Sequence, residues 1–265
     1  MEKRMLSPQE VADATIRTAE GKTKLNFIQT FLLGIFAGVF VGFGTHGYLT
    51  VTQTLGNIDV GLSKLIGASV FPVGLMLVLM AGAELFTGNN LMTIALVDKR
   101  ITFRSLSKNW IIVYVGNFIG SILLAYAIYK SGLYSGENIK NLAISVGEAK
   151  LSLSFHDALI RGILCNMIVT LSVWFATAAK DITGKILAIW FPIMLFVLSG
   201  FEHSIANMFF LPIAKFVGLE SSWLNIWLNN LIPVTIGNVI GGGIIVSGVY
   251  YLTYILPNKK TKKSK

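Results

Sequence analysis

Four long stretches of the chain contain no Asp, Glu, Lys or Arg, and this feature limits the possible folds more than any other. They cover residues 25–58, 109–129, 162–179 and 221–258. A helix of roughly 20 apolar residues crosses the ~30 Å hydrocarbon core of a bilayer. Each stretch is therefore long enough for one membrane span.

Two further stretches reach this length if one acidic residue is tolerated in each. Residues 65–97 are interrupted only by Glu84, and residues 186–214 only by Glu202. The composition agrees, because 13% of the 265 residues are charged, whereas about 25% is usual in soluble domains. We therefore predict an all-α membrane protein with six transmembrane helices. The single cysteine, Cys165, has no intrachain disulfide partner and is expected to pack in a span.

The 22 Lys and Arg residues are unevenly distributed among the connections of such a six-span chain. Sixteen lie before span one, at 99–108, at 180–185 and in the C-terminal tail, and six lie in the connections on the other side. Cytoplasmic connections are enriched in Lys and Arg. The distribution predicts a multi-pass protein of the inner (cytoplasmic) membrane with both termini in the cytoplasm. It also accounts for most of the net charge of +9 without a nucleic-acid partner.

The first 24 residues are too polar for a cleavable signal peptide. Ser7, Pro8 and Glu10 instead have the spacing of a capping box with proline at the first helical position. We predict a cytoplasmic amphipathic helix within residues 1–24, in contact with the membrane surface or docked to a partner. Residues 258–265 form a basic cytoplasmic tail.

Short motifs recur in the two halves of the chain, in the same order and at nearly the same spacing. The pairs are Phe71-Pro72 with Phe191-Pro192, Gly82-x-Glu84-x4-Asn89 with Gly200-x-Glu202-x4-Asn207, and Gly116-Asn117-x-x-Gly120 with Gly237-Asn238-x-x-Gly241. We predict two repeats, 25–145 and 146–257. Three crossings begin and end on opposite sides of the membrane, so the second repeat is inverted. The two glycine pairs are expected to pack span three against span six.

Spans two and five are expected to be broken in the middle. Glu84 and Glu202 lie at equivalent positions among glycines and small polar residues, and a carboxylate at the membrane centre costs roughly 2.5–3.5 kcal/mol on insertion scales. Irregular backbone at this depth is tolerated where protein or water surrounds it. Half-helix N-termini would then face the midplane and favour an anion. Since a fixed negative charge in the pathway would repel anions, both glutamates are expected to tie down their own loops. Asn89, Asn117 and Asn207 are expected to have structural roles, although such amides can also bind a solute.

His203 is the strongest candidate for a functional residue. It is predicted at the centre of span five, beside unwound backbone, and imidazole titrates near physiological pH. It can donate a hydrogen bond or a proton to the anion of a weak acid. His46 and His156 are expected to lie at the membrane interface.

At these motifs the chain resembles the formate/nitrite transporter family of small-anion channels. The resemblance rests on Gly-Ala-Glu-Leu-Phe-Thr-Gly at 82–88, Ser-Gly-Phe-Glu-His-Ser-Ile-Ala-Asn-Met at 199–208, Leu-Cys-Asn in span four and Gly-Asn-Val-Ile-Gly-Gly in span six. It implies an aquaporin-like fold without Asn-Pro-Ala motifs, and a homopentamer in which each subunit encloses a pore.

The resemblance also implies roles for individual residues. His203 is the central pore histidine and Thr87 its hydrogen-bonding partner. Leu85 and Phe196 form the cytoplasmic constriction, and Phe71, Phe86 and Val169 form the outer one. Asn166 and Asn238 match polar positions near the pore, and Lys150 matches a basic residue of the outer funnel, with an interface lysine as the alternative. Asn207 is a further candidate for the substrate pathway.

The predicted function is a channel or transporter for small monovalent anions, formate or nitrite first, with hydrosulfide as the alternative and lactate as another substrate of the family. If His203 gives up a proton, transport is coupled to pH; if it does not, the pore is a plain anion channel. An aquaporin-like pore for neutral solutes is the further alternative. No metal-ligand cluster, phosphate loop or catalytic triad is apparent in the sequence, so we expect neither an enzyme nor a bound cofactor or metal.

Overall fold

The computed structural model describes residues 5–257, and the predicted basic tail at 258–265 lies outside them. The first helix, α1, spans Pro8–Lys24. Its predicted capping box is present, with the Ser7 side chain accepting from the Glu10 backbone and the Glu10 side chain accepting from the Ser7 backbone. The residues that begin this helix were thus identified correctly from the sequence.

Within the described residues, five helices are long and apolar enough to cross a membrane. The helices after α1 are α2 Phe27–Thr52, α3 Val60–Gly82, α4 (the consecutive segments Phe86–Asn89, Asn90–Met92 and Thr93–Val97), α5 Phe103–Lys130, α6 Glu137–Leu151, α7 Phe155–Ala178, α8 Ile182–Leu198, α9 Ser204–Val217 and α10 Trp223–Ile255. Four spans are α2, α5, α7 and α10. Span two consists of α3 and α4, and span five of α8 and α9.

The two broken spans confirm the prediction from the sequence. Gly82 and Gly200 have φ values of 84° and 71°, in the left-handed region that glycine adopts without a steric penalty. Extended backbone follows at Ala83 and Leu85 in the first loop and at His203 in the second. Each loop joins a helix that ends at exposed residues, near 82 or 198, to a second helix whose first residues are buried.

The glycine pairs of spans three and six do not pack against each other, and this prediction was wrong. A Cβ on Gly120 would lie 2.0 Å from the carbonyl oxygen of Ile35, and a Cβ on Gly241 would lie 2.1 Å from that of Ile163. Span three (α5) therefore packs on span one (α2), and span six (α10) on span four (α7). Each glycine pair brings its helix close to the backbone of the first span in its own repeat.

The repeat contains one more helix than predicted. Helices α2 and α7 begin at Phe27 and Phe155, 128 residues apart, and the same separation relates Lys22 of α1 to Lys150 of α6. Helix α6 was not predicted, and the expected division at 145/146 falls inside it. The chain therefore consists of two inverted units, α1–α5 and α6–α10, and we call its two ends the α1 end and the α6 end.

Candidate functional site

Each broken loop is held by an asparagine from the third span of its own repeat. In the first loop, Asn117 Nδ2 donates to the carbonyl oxygen of Glu84 at 2.9 Å, and the Phe86 N–H donates to Asn117 Oδ1 at 3.0 Å. In the second, Asn238 Nδ2 donates to the carbonyl oxygen of Glu202 at 3.0 Å, and the Ser204 N–H donates to Asn238 Oδ1 at 2.9 Å. These amides satisfy backbone groups that the helix breaks leave free.

Asn238, which the sequence analysis assigns to the substrate pathway, makes further contacts that hold the loop. Its side chain is fully buried, and its Nδ2 also donates to the carbonyl oxygen of Gly162 at 2.8 Å. Asn117 makes the equivalent contact with Gly34, also at 2.8 Å. Asn238 is therefore a clamp on the second loop, as Asn117 is on the first.

The two loop glutamates are neutralised by lysines. Glu84 Oε1 lies 2.6 Å from Lys22 Nζ, and Glu202 Oε1 lies 2.9 Å from Lys150 Nζ. The Nδ2 of the asparagine five residues later donates to each carboxylate, at 2.7 Å from Asn89 and 2.6 Å from Asn207. The structure thus joins each glutamate to a lysine and an asparagine of neighbouring helices, and it ties Asn207 to Glu202. It also adds Lys22, which the sequence analysis did not single out.

A cavity opens at each end, and the two are related by the repeat. At the α6 end a cavity of about 220 Å³ is lined by residues that include Lys150, Glu202 and His203. At the α1 end a cavity of about 460 Å³ is lined by residues that include Lys22 and Glu84. Each cavity therefore contains one lysine and one glutamate among mostly apolar residues, and the α6-end cavity is also lined by Arg161.

His203 lies between the broken loops. Its Nε2 is 2.8 Å from Thr87 Oγ1, and both side chains are buried. The structure therefore makes the contact that the resemblance implies for this pair. The residue of the first loop that is equivalent to His203 is Leu85, which lines the α1-end cavity. The polar centre is thus asymmetric, with an imidazole from one repeat and a hydroxyl from the other.

The hydrogen bonds of His203 assign its tautomer. The Ala206 N–H donates to His203 Nδ1 at 3.1 Å, so the imidazole is the N-cap of α9. Because Nδ1 is an acceptor, the ring proton of the neutral imidazole lies on Nε2, which donates to Thr87 Oγ1. The Thr87 hydroxyl is consequently the acceptor in this contact, and its own proton remains free to donate a hydrogen bond to another group.

The structure corrects the predicted grouping of the constriction residues. Phe196 was expected with Leu85, but its ring packs edge-on against Phe71 at a centroid distance of 5.5 Å, and both phenylalanines line the α6-end cavity. The reason is the inverted repeat, since Val78, which is equivalent to Phe196, lines the cavity at the other end. Leu85 therefore lines the α1-end cavity without Phe196.

Phe86 and Val169 lie outside the lining of both cavities. The Phe86 ring is buried and packs against Trp110 and Tyr114, while Val169 is buried in the same hydrophobic core. Phe71 is thus the member of the predicted outer constriction that faces a cavity.

The other predicted polar residues, Asn166, His46 and His156, lie outside the lining of both cavities. Asn166 is fully buried. His46 Nδ1 lies 3.2 Å from the hydroxyl of Tyr134, a residue outside the spans in which burial raises the pKa of the phenol far above its usual range. The His156 side chain is exposed. In residues 5–257 no group of three or more His, Cys, Asp or Glu side chains is arranged to hold a metal ion.

The fold and the site together define a membrane channel built from two inverted repeats, with a polar centre between two cavities. The family model described as Formate/nitrite transporter matches residues 9–252. The chain belongs to this family.

Known proteins match the chain over most of its length. A probable formate transporter of Methanothermobacter thermautotrophicus is 40% identical, with 94% of this chain and 97% of the relative covered. The formate channel BtFdhC of Bacillus thuringiensis is 38% identical, with 93% and 95% covered. A solved structure titled as a pentameric formate channel with formate bound has a TM-score of 0.77 and 33% identity, covering 86% of this chain and 98% of that one.

Proposed function

We propose that this chain is a channel for the small monovalent anions of weak acids, with formate as the first substrate and nitrite as the second. The observation that carries the proposal is the Thr87–His203 hydrogen bond, buried between two cavities that each contain a lysine. The names of the related probable formate transporter and formate channel support the choice of formate.

Attraction of the anion begins at Lys150 and Lys22. Their charges are offset by Glu202 and Glu84, while Arg161 also lines the α6-end cavity, so the attraction of an anion is stronger at that end. The aromatic rings of Phe71 and Phe196 in the α6-end cavity would then displace water from the anion, as apolar constrictions do in channels.

Stabilisation at the centre comes from neutral donors. The Thr87 hydroxyl can donate a hydrogen bond to the anion, because in its contact with His203 Nε2 it is the acceptor. A second proton on the imidazole would break the contact between Nδ1 and the Ala206 N–H, which is a helix N-cap worth about 1 kcal/mol. It would also put a positive charge at the positive end of the α9 dipole. This supports the plain anion channel over a proton relay through His203.

The assembly and orientation are part of the proposal. The relative titled as a pentameric channel supports a homopentamer with one pathway per subunit. The distribution of Lys and Arg supports a location in the inner (cytoplasmic) membrane, with α1 and both termini in the cytoplasm. In this orientation the α6-end cavity faces outward.

Flux into proteoliposomes tests the substrate. Formate, nitrite, hydrosulfide and lactate are compared side by side, with glycerol and water swelling as measures of neutral solutes. We expect formate to give the fastest flux. Faster hydrosulfide flux would replace formate by the alternative substrate, and glycerol flux without anion flux would refute the anion channel.

A pH series tests the role of His203. Formate flux is recorded against pH for wild type, His203→Asn and His203→Phe. For a plain channel we expect slower flux in the variants with the same relative pH dependence as wild type. Loss of the pH dependence in both variants would instead support the proton relay.

A further inference from the structure

The two repeats differ at one pair of equivalent positions in the contact between their first and third spans. In the first repeat the pair is Gly38 and Ser121, and the Ser121 Oγ donates to the Gly38 carbonyl oxygen at 3.3 Å. In the second repeat the pair is Asn166 and Gly242. A Cβ on Gly242 would lie 2.4 Å from Asn166 Nδ2. In the second repeat, the glycine on α10 therefore leaves room for the Asn166 amide on α7.

The Asn166 amide reaches out of its own repeat. Its Nδ2 lies 2.8 Å from Asn90 Oδ1 and 3.3 Å from the carbonyl oxygen of Thr87, both in the first repeat, and 2.7 Å from the carbonyl oxygen of Asn238. The side chain is fully buried and lies outside the lining of both cavities. The two shorter contacts are thus with Asn90 and Asn238, and the third, longer contact is with the peptide of Thr87.

We propose that Asn166 is a positioning residue, which holds the peptide of Thr87 so that the Thr87 hydroxyl meets His203 Nε2. This inference rests on the proposed function, because it gives Asn166 a part in the pathway through Thr87 and no contact with the anion. The carbonyl and hydroxyl belong to one residue, so movement of the carbonyl displaces the hydroxyl. The residue equivalent to Thr87 is Ile205, which has no hydroxyl to orient, and the residue equivalent to Asn166 is Gly38.

A double-mutant cycle in proteoliposomes tests this coupling. We expect Asn166→Ala to lower formate flux about tenfold, since it misplaces one hydrogen bond at the pathway. In a Thr87→Val background the same change should lower flux by less than about twofold, because residues in one network are not additive. Thr45→Val is the matched control: it removes a buried hydroxyl that bonds within its own helix, and flux should stay within about twofold of wild type. Independent, multiplying losses in the cycle would overturn the proposal.

The ¹⁵N NMR spectrum of histidine-labelled protein gives a second readout that does not depend on flux. The His203 Nε2 signal, assigned with His203→Asn, should shift in Asn166→Ala in the same direction as in Thr87→Val. Asn166→Ser replaces Asn166→Ala if the latter does not fold. A wild-type protein without formate flux would refute the proposed function, and the NMR shift would still decide the coupling. An unchanged His203 signal in the Asn166 variant would overturn the coupling alone.

Discussion

Removing Lys150 from its ion pair should destabilise the protein much more than removing an exposed lysine. The Glu202 side chain is 6% exposed and that of Lys150 13%. In Lys150→Met the carboxylate keeps the amide of Asn207 but loses its cation. Leaving one partner of a buried pair unpaired costs about 3–5 kcal/mol. Because Lys150 lines a cavity that is open to solvent, we expect a loss of about 3 kcal/mol, at the lower end of this range.

Thermal unfolding in detergent measures this loss, at one fixed heating rate because unfolding of such proteins is often irreversible. A loss of 3 kcal/mol corresponds to a fall in Tm of roughly 6–12 °C for a chain of this size. The double variant Lys150→Met with Glu202→Gln has no unpaired charge and should recover most of the fall. Lys64→Met, at an exposed residue of α3, is the control. If Lys150→Met and the control unfold at the same temperature, the ion pair does not have the assigned energy.

Three further changes test the fold. His203→Asn keeps an N-cap acceptor on α9, whereas His203→Ala loses it. The Ala variant should therefore be less stable than the Asn variant by about 1 kcal/mol. Equal Tm values for the two variants would contradict the assigned cap. Gly120→Ala places a methyl against the backbone of Ile35 and should cost about 3 kcal/mol or more, while Gly248→Ala points into open space and should be neutral. Ser7→Ala should weaken the start of α1 by about 1 kcal/mol, seen as faster hydrogen exchange there, and unchanged exchange would remove the role of the capping box.

Sequence reasoning predicted the elements whose chemistry is local. The charge-free stretches have the length of spans, and Gly82 and Gly200 mark the breaks because few other residues adopt their backbone angles. The contact of His203 with Thr87 came from the family resemblance. Neither composition nor spacing would have paired residues so far apart in the chain.

The missed features depend on which surfaces meet in three dimensions. The glycines at 120 and 241 indicated that their helices approach another helix closely. The sequence did not indicate which helix, because α2 and α7 become their partners only in the folded repeat. Lys22 was counted as a topology marker because its partner Glu84 is distant in sequence. Lys22 and Lys150 are 128 residues apart, as are Gly34 and Gly162. This shared separation could have identified Lys22 as the equivalent of Lys150, but none of these residues belongs to the motifs compared in the sequence analysis.

The short helix that begins each repeat, α1 or α6, bears on how such a chain originated. A duplication that produced both α1 and α6 must have copied a unit of one amphipathic helix and three spans. Before fusion, two copies of that unit could form this pseudo-symmetric arrangement only by inserting in opposite orientations, which requires a unit without a strong orientation signal. In the predicted topology, 16 of the 22 Lys and Arg residues lie on the cytoplasmic side. Because both halves are joined in one chain, this bias orients the two inverted units together.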